Sequence, residues 1–155
     1  DKDTDEVNEI IEFVSSIRSF KNEIEISPGS FVKIQMNKIN PEIKKFIENN
    51  SNTLKKIGRI NEFVTEDIKK PSANLVIKGE IFKIYFDEDV DLSKIKETLL
   101  NKKNKIEKEM EKINTRLNNK SFIERAPNDI VEQEKSNFIN LEKDVNKLNY
   151  TLESL

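Results

Sequence analysis

Along residues 91–155, mainly apolar positions recur every seven residues, and a second series lies four residues after the first in one stretch and three residues after it in the other. This pattern is typical of long coiled-coil helices, and a short break at residues 118–126 divides it in two. Because the break is short, the two helices must run antiparallel, and the first is about 39 Å long at ~1.5 Å per residue. The first helix carries Leu92, Leu99, Ile106 and Ile113 with companions Lys96, Lys103, Met110 and Leu117; the second carries Val131, Phe138, Val145 and Leu152 with companions Glu134, Leu141, Leu148 and Leu155.

The first 90 residues show shorter patterns of mixed type. A helix is predicted from Thr4, a candidate N-cap, up to the turn at residues 27–29. Its apolar residues at helical spacing are Val7, Ile10, Ile11, Val14 and Ile17.

Strands and two short helices are predicted to follow. Asn40 and Pro41 have the properties of an N-cap and a first helical residue. The predicted elements are a strand at 31–36, helices at 40–47 and 51–57, a strand at 60–64, and a hairpin of 75–78 and 81–86 around Gly79 and Glu80. Together they predict a sheet of three or four strands with the first helix on one face.

The predicted fold class is α+β: an N-terminal helix with a small mixed lobe, followed by a long antiparallel coiled-coil hairpin. Three parts are expected, namely a helical segment at 1–25, a lobe at 26–90 and a coiled-coil arm at 91–155. The chain begins at Asp1 rather than Met, and we expect it to be an excised fragment.

Composition excludes several classes of chemistry. The 155 residues contain no Cys and no His, which excludes disulfides, thiol catalysis, zinc fingers and histidine-dependent hydrolysis.

The acidic cluster at residues 87–91 is explained as helix capping, so no metal site is assigned. Apolar runs are short and no leader pattern opens the chain, so we expect a soluble, cytoplasmic protein without a membrane span.

Positive charge concentrates on the first arm helix. Residues 91–120 hold nine basic and five acidic side chains, whereas residues 121–155 hold four basic and seven acidic ones. Lys105, Lys108, Lys112 and Arg116 are spaced by three, four and four residues, so they share one strip of the helix. Such a strip can follow a phosphate backbone without base recognition. Lysines that are solvated, or paired with glutamates of the second helix, are the alternative.

The bend of the arm also carries candidate contacts. Phe122 and Ile123 are expected to close the end of the coil, while Arg125 can stack on a base or bind a phosphate. Lys96 and Lys103 belong to the heptad series that forms the seam, the contact line between the two helices. We expect their stems to lie along the coil and their ammonium groups to reach solvent.

Three stretches of sequence resemble the C-terminal portion of bacterial-type valyl-tRNA synthetases, and the resemblance runs over nearly the whole chain. They are residues 17–21 (IRSFK) before the Ser27-Pro28 turn, the bend LNNKSFIERAP at residues 117–127, and IVEQEK at residues 130–135. In the family a valine usually stands at the position of Ile130 and an arginine at that of Lys135. Lysine keeps the charge there but loses planar stacking.

The resemblance implies that the first helix ends an anticodon-binding bundle and that the coiled coil holds the outer corner of tRNA, where the D and T loops meet. An RNA corner suits recognition by shape, charge and stacking. Lys112 and Lys135 would face each other across the hairpin. The nominated tRNA-binding residues are Lys105, Lys108, Lys112, Arg116, Lys120, Arg125 and Lys135, with Arg18 and Lys21 matching basic positions of the family.

The family's catalytic signatures are missing, so the chain is expected to hold no catalytic residue and no cofactor. ATP and magnesium are implied only for the parent enzyme, an ATP-dependent valine-tRNA ligase. The implied partners are valine tRNA and the remainder of the synthetase chain, with neither DNA nor membrane, and the protein is expected to be a monomer. The arm then orients tRNA for a distant active site.

Two other functions fit the same patterns. The coil could be a protein-interaction module that pairs with another helix, or the tail of a translation-associated ATPase. Binding of tRNA at two salt concentrations separates these possibilities.

Overall fold

The computed structural model describes residues 1–36 and 38–155, and these form two compact units. The lobe comprises residues 1–95 with 154–155, and the hairpin unit comprises residues 96–153. The three-part division by function, at 1–25, 26–90 and 91–155, stays a prediction.

The elements confirm the predicted α+β class. In chain order they are α1 (Lys2–Glu23), β1 (Val32–Gln35), α2 (Pro41–Asn49), α3 (Ser51–Gly58), β2 (Ile60–Val64), β3 (Ala73–Ile77), β4 (Glu80–Phe86), α4 (Leu92–Leu117), α5 (Lys120–Arg125) and α6 (Asn128–Ser154). Among the described residues, no helix is long and apolar enough to cross a membrane.

Helix α1 begins earlier than predicted and buries a different stripe. Its N-cap is Asp1, whose carboxylate accepts a hydrogen bond from the Asp3 backbone N–H, so the expectation for Thr4 was wrong. Val7 and Ile11 are 54% and 57% exposed, because the helix turns another face toward the sheet. The buried stripe consists of Phe13, Val14, Ile17, Phe20 and Lys21.

The four strands form one sheet in the order β2-β1-β4-β3. Strands β1 and β2 are parallel, as their α2–α3 crossover permits, and the other two pairs are antiparallel. Phe13 of α1 is fully buried and its ring packs against those of Phe46, Phe63 and Phe82, at centroid distances of 5.9–6.4 Å. The prediction that the first helix covers one sheet face is therefore confirmed.

Strand β1 departs from the alternation that its sequence suggests. Alternation along β1 would place Gln35 on the exposed face with Lys33, but Gln35 is 4% exposed. Both polar atoms of its amide are hydrogen-bonded: Nε2 donates to Asp67 Oδ1 at 2.6 Å, and Oε1 accepts from the Tyr85 hydroxyl at 2.5 Å. The loop residue Asp67 thus provides a partner that makes burial of a polar side chain tolerable.

Local capping follows the sequence closely. The Asn40 side chain accepts from the Glu42 N–H at 2.7 Å, confirming the predicted N-cap of α2. The turn between β3 and β4 is Lys78-Gly79, one residue earlier than predicted. Both residues have positive φ, as a type I′ hairpin requires.

The hairpin unit confirms the antiparallel coil. Leu99 and Ile113 of α4 and Val131 and Leu148 of α6 are all at most 7% exposed. The last turn of α4 pairs with the second turn of α6 through Arg116 and Glu134, so the chain reverses between them.

The two seam lysines behave differently. Lys96 is exposed, whereas the Lys103 side chain is 29% exposed and its ammonium lies 3.6 Å from the Glu107 carboxylate. This agrees with stems that lie along the coil and charges that reach solvent.

Candidate nucleic-acid interface

Three lysines form an exposed cationic row on α4. Lys105, Lys108 and Lys112 follow one another at helical spacing, and all three are exposed. In the described part of the chain, no carboxylate oxygen lies within 4.0 Å of their ammonium nitrogens. We call these three residues the lysine row.

The lysine row borders a surface groove of about 430 Å³. The residues that line this groove are Lys108, Glu111, Lys112, Thr115 and Arg116. The Thr115 hydroxyl donates back to the Glu111 carbonyl at 2.9 Å, so it is committed to the helix backbone. Every residue that lines the groove belongs to α4, so the cations of the groove lie along one helix. A phosphate chain could lie along them.

Arg116 differs from the other members of the predicted strip. Its Nη2 donates to both carboxylate oxygens of Glu134, at 3.2 and 2.9 Å. Its Nε is buried and has no hydrogen-bond partner among the described residues. The strip of four predicted cations is therefore three unpaired lysines followed by an arginine that is paired across the hairpin.

The bend contains a short helix that the sequence pattern did not indicate. Asn119 caps α5 by accepting from the Phe122 N–H at 3.3 Å. Lys120 and Arg125 lie at its two ends and are exposed. Over residues 1–36 and 38–155, neither side chain has an ion-pair partner.

The apolar pair at the bend is only partly covered. Phe122 is half-buried, as a residue closing the coil should be, whereas Ile123 is 44% exposed. The bend therefore combines two free cations with an accessible apolar surface.

Lys135 lies on the exposed side of α6 and is partly neutralised. Its ammonium is 3.4 Å from a Glu132 carboxylate oxygen, one turn earlier, and the lysine side chain is 55% exposed. Exposed pairs of this kind contribute little free energy, so a phosphate could displace the glutamate. That Lys135 faces Lys112 across the hairpin stays a prediction.

Two nominated residues of α1 have separate environments. Arg18 is exposed, and its Nη2 donates to the Ile57 carbonyl at 3.4 Å. Lys21 is 1% exposed, and its ammonium donates to the carbonyls of Pro28, Ser30 and Gly58 at 3.3, 2.6 and 3.3 Å. With its ammonium held inside the lobe, Lys21 is not available to an RNA phosphate in this structure.

Burial, together with the nearby charges of Arg18 and Arg59, lowers the pKa of Lys21 from 10.5 to about 8. Because the folded-state pKa lies below the unfolded value, the unfolded chain binds more protons between pH 8 and 10.5. This group therefore makes the free energy of unfolding rise with pH through that window, by on the order of 2–3 kcal/mol.

The Lys21→Met variant should lose this rise, because methionine does not titrate. Urea unfolding at pH 7 and pH 10 measures it: relative to Lys21→Met, the wild type should gain about 2 kcal/mol at the higher pH. Lys44→Met, at an exposed position, is the control and should keep the wild-type profile. Parallel profiles for wild type and Lys21→Met would show that Lys21 does not titrate as described.

The interface presents groups that bind anionic and planar ligands. Its exposed ammonium and guanidinium groups can bind phosphates, and its apolar patch can pack on bases. The chain has no His or Cys, and among the described residues no group of acidic side chains is arranged to hold a metal ion.

Comparison with protein families matches the segment that contains these cations. Residues 91–155 fit the family model described as the valyl tRNA synthetase tRNA binding arm. The arm, as these residues are called below, thus includes all of the lysine row, the bend and α6.

Relatives extend the similarity over the lobe. The chain is 46% identical over its full length to a valine-tRNA ligase of Pelagibacter ubique and 26% identical over 158 aligned positions to one of Aquifex aeolicus. It is 38% identical over 128 positions, 80% of the chain, to one of Campylobacter jejuni. The chain spans 18%, 13% and 14% of the lengths of these relatives, respectively. The resemblance predicted from the sequence is therefore confirmed.

Sequence reasoning missed two features that carried detectable signals. Lys21 lies four residues after Ile17, on the same apolar stripe of α1, which indicates burial. Glu134 occupies a heptad position in the seam between the two helices, where a carboxylate requires a cationic partner. Arg116, near the seam on α4, is that partner.

Proposed function

We propose that the arm binds tRNA as part of a valine-tRNA ligase and orients it for aminoacylation in another part of that enzyme. The observation that carries this proposal is the lysine row: three exposed, unpaired cations in a segment that matches a tRNA-binding arm. Each cation that neutralises a phosphate releases condensed counterions, so the row supplies affinity without reading sequence.

The proposed contact is the outer corner of tRNA, where the D and T loops meet. Lys105, Lys108 and Lys112 would follow the backbone, while Lys120 and Arg125 would reach the corner from the bend. Exposed Ile123 supports this placement, because an apolar side chain beside cations suits a flat base surface.

The partners follow from this assignment. They are valine tRNA and the rest of the synthetase chain, and the protein acts as a cytoplasmic monomer. Contacts to phosphates carry no base information, so the lysine row itself would not distinguish valine tRNA from other tRNAs. Arg18 and Lys135 are secondary candidates, since each is exposed but engaged by a protein oxygen.

The proposal is tested by removing the segment equivalent to the arm from a complete valine-tRNA ligase, such as the Pelagibacter relative. Charging of tRNA should fall at least tenfold, because orientation effects of this kind are worth several kcal/mol. Valine-dependent exchange of pyrophosphate with ATP should stay within about twofold, because that reaction does not involve tRNA.

A matched variant of the same enzyme replaces by glutamine only those lysines that it carries at the positions equivalent to the lysine row. In this variant too, charging of tRNA should fall while pyrophosphate exchange stays within about twofold, although no helix has been removed. Equal loss of charging and exchange in both variants would contradict a role confined to tRNA.

A further inference from the structure

We propose that Arg116 is a positioning residue that fixes the register of the two arm helices through Glu134, rather than a phosphate ligand. This inference rests on the proposed function of the arm. It assigns Arg116 and Glu134 a task distinct from that of the lysine row.

The contacts support a structural commitment of the guanidinium. One terminal nitrogen of Arg116 donates to both oxygens of Glu134, and Nε is buried without an acceptor. The Glu134 side chain is only 20% exposed. The Arg116 side chain is 39% exposed, so the pair is partly buried, and removing either partner would leave the other charge partly desolvated without compensation.

The position of the pair explains how it can set register. Glu134 takes a heptad position that is otherwise apolar on α6. The pair also lies beside buried residues of the coil. Ile113, three residues before Arg116, is 2% exposed, and Val131, three residues before Glu134, is 7% exposed. The remaining seam residues of α6 are all hydrophobic. A single polar residue among them is the usual device that selects one alignment of a coiled coil.

A slip of one heptad would leave Glu134 without Arg116 and shift α6 by about 10 Å along α4. The lysine row lies on α4, Lys120 and Arg125 lie on α5, and Lys135 lies on α6. The distance from Lys135 to the cations of α4 therefore depends on which turns of the two helices are paired.

The decisive variants are Glu134→Arg, Arg116→Glu and the double charge swap, each in the full chain. If Arg116 acts through Glu134, Glu134→Arg should weaken tRNA binding about tenfold, even though it adds positive charge to the arm. Arg116→Glu should weaken binding by at least as much. The double swap rebuilds the pair and should return the Kd to within about threefold of wild type, with the wild-type salt dependence.

A phosphate ligand predicts the opposite pattern. Glu134→Arg would then bind tRNA at least as tightly as wild type, and the double swap would stay weak because residue 116 carries a carboxylate. Either result would overturn the inference.

Hydrogen exchange separates this inference from the proposed function. Amide exchange in residues 130–138 should be faster in both single variants and should return to the wild-type rate in the double swap. That recovery supports the register role even if neither the wild type nor any variant binds tRNA. Absence of tRNA binding would contradict only the proposed function. Unchanged exchange in the single variants would refute the register role whatever the tRNA result.

Discussion

Replacing Lys105, Lys108 and Lys112 together by glutamine should weaken tRNA binding on the order of 100-fold at about 0.1 M salt. Each lysine that neutralises a phosphate contributes about 0.7–0.9 to the slope of log K against log salt, so the variant should lose about two units of slope. The three side chains are exposed, and their replacement removes no hydrogen bond or ion pair among the described residues.

The matched control places the same charge change on the lobe. Lys44, Lys45 and Lys56 of α2 and α3 are also exposed, and their replacement by glutamine alters net charge equally. That variant should bind within about threefold of wild type if binding depends on the lysine row rather than on total charge. Equal weakening in the two variants would contradict the assignment of the interface to α4.

Truncating Phe13 to alanine should destabilise the lobe by about 3–5 kcal/mol, the range for a buried aromatic residue. Phe13 is fully buried and contacts three other rings, so the cavity would open between α1 and the sheet. Urea unfolding followed by circular dichroism measures the loss.

Two comparison variants make this prediction specific. Val7→Ala on the exposed face of α1 should cost less than about 0.5 kcal/mol, because Val7 is 54% exposed. Phe13→Leu should fall between that value and Phe13→Ala, and it remains measurable if the alanine variant does not fold. Similar losses for Phe13→Ala and Val7→Ala would contradict the assigned core.

The hairpin was predictable because its repeat is long and regular. Two heptad series joined by a short break admit few arrangements, and the buried residues Leu99, Ile113, Val131 and Leu148 all belong to those series. Helix α5 was not predicted, because its six residues are too few to establish a period. Its Asn119 cap was the available local signal.

Buried polar residues were harder to predict than apolar ones, since each depends on a distant partner. Gln35 is buried because Asp67 and Tyr85 bond to its amide, and no local pattern in β1 indicates those partners. Lys21 is buried because the Pro28, Ser30 and Gly58 carbonyls converge on its ammonium. Local periodicity predicts where apolar side chains go, whereas these contacts form only in the tertiary structure.

The candidate interface was predictable as a charge pattern but not as a set of free cations. Spacing placed Lys105, Lys108, Lys112 and Arg116 on one strip, and sequence alone did not show which of them were paired. The structure distinguishes Arg116, which is bound to Glu134, from the three lysines. The distinction matters because only an unpaired cation is fully available to a phosphate.

The most direct test is a titration of the full chain with valine tRNA across a range of salt, beside a DNA hairpin of equal length. Five cations at the lysine row and the bend predict a slope of log K against log salt near −4, from about 0.7–0.9 per phosphate. Binding of tRNA should exceed that of the DNA hairpin, which lacks the folded corner and the 2′-hydroxyls. A slope near zero, or equal affinity for the two nucleic acids, would contradict the proposal that this arm holds tRNA through its cationic face.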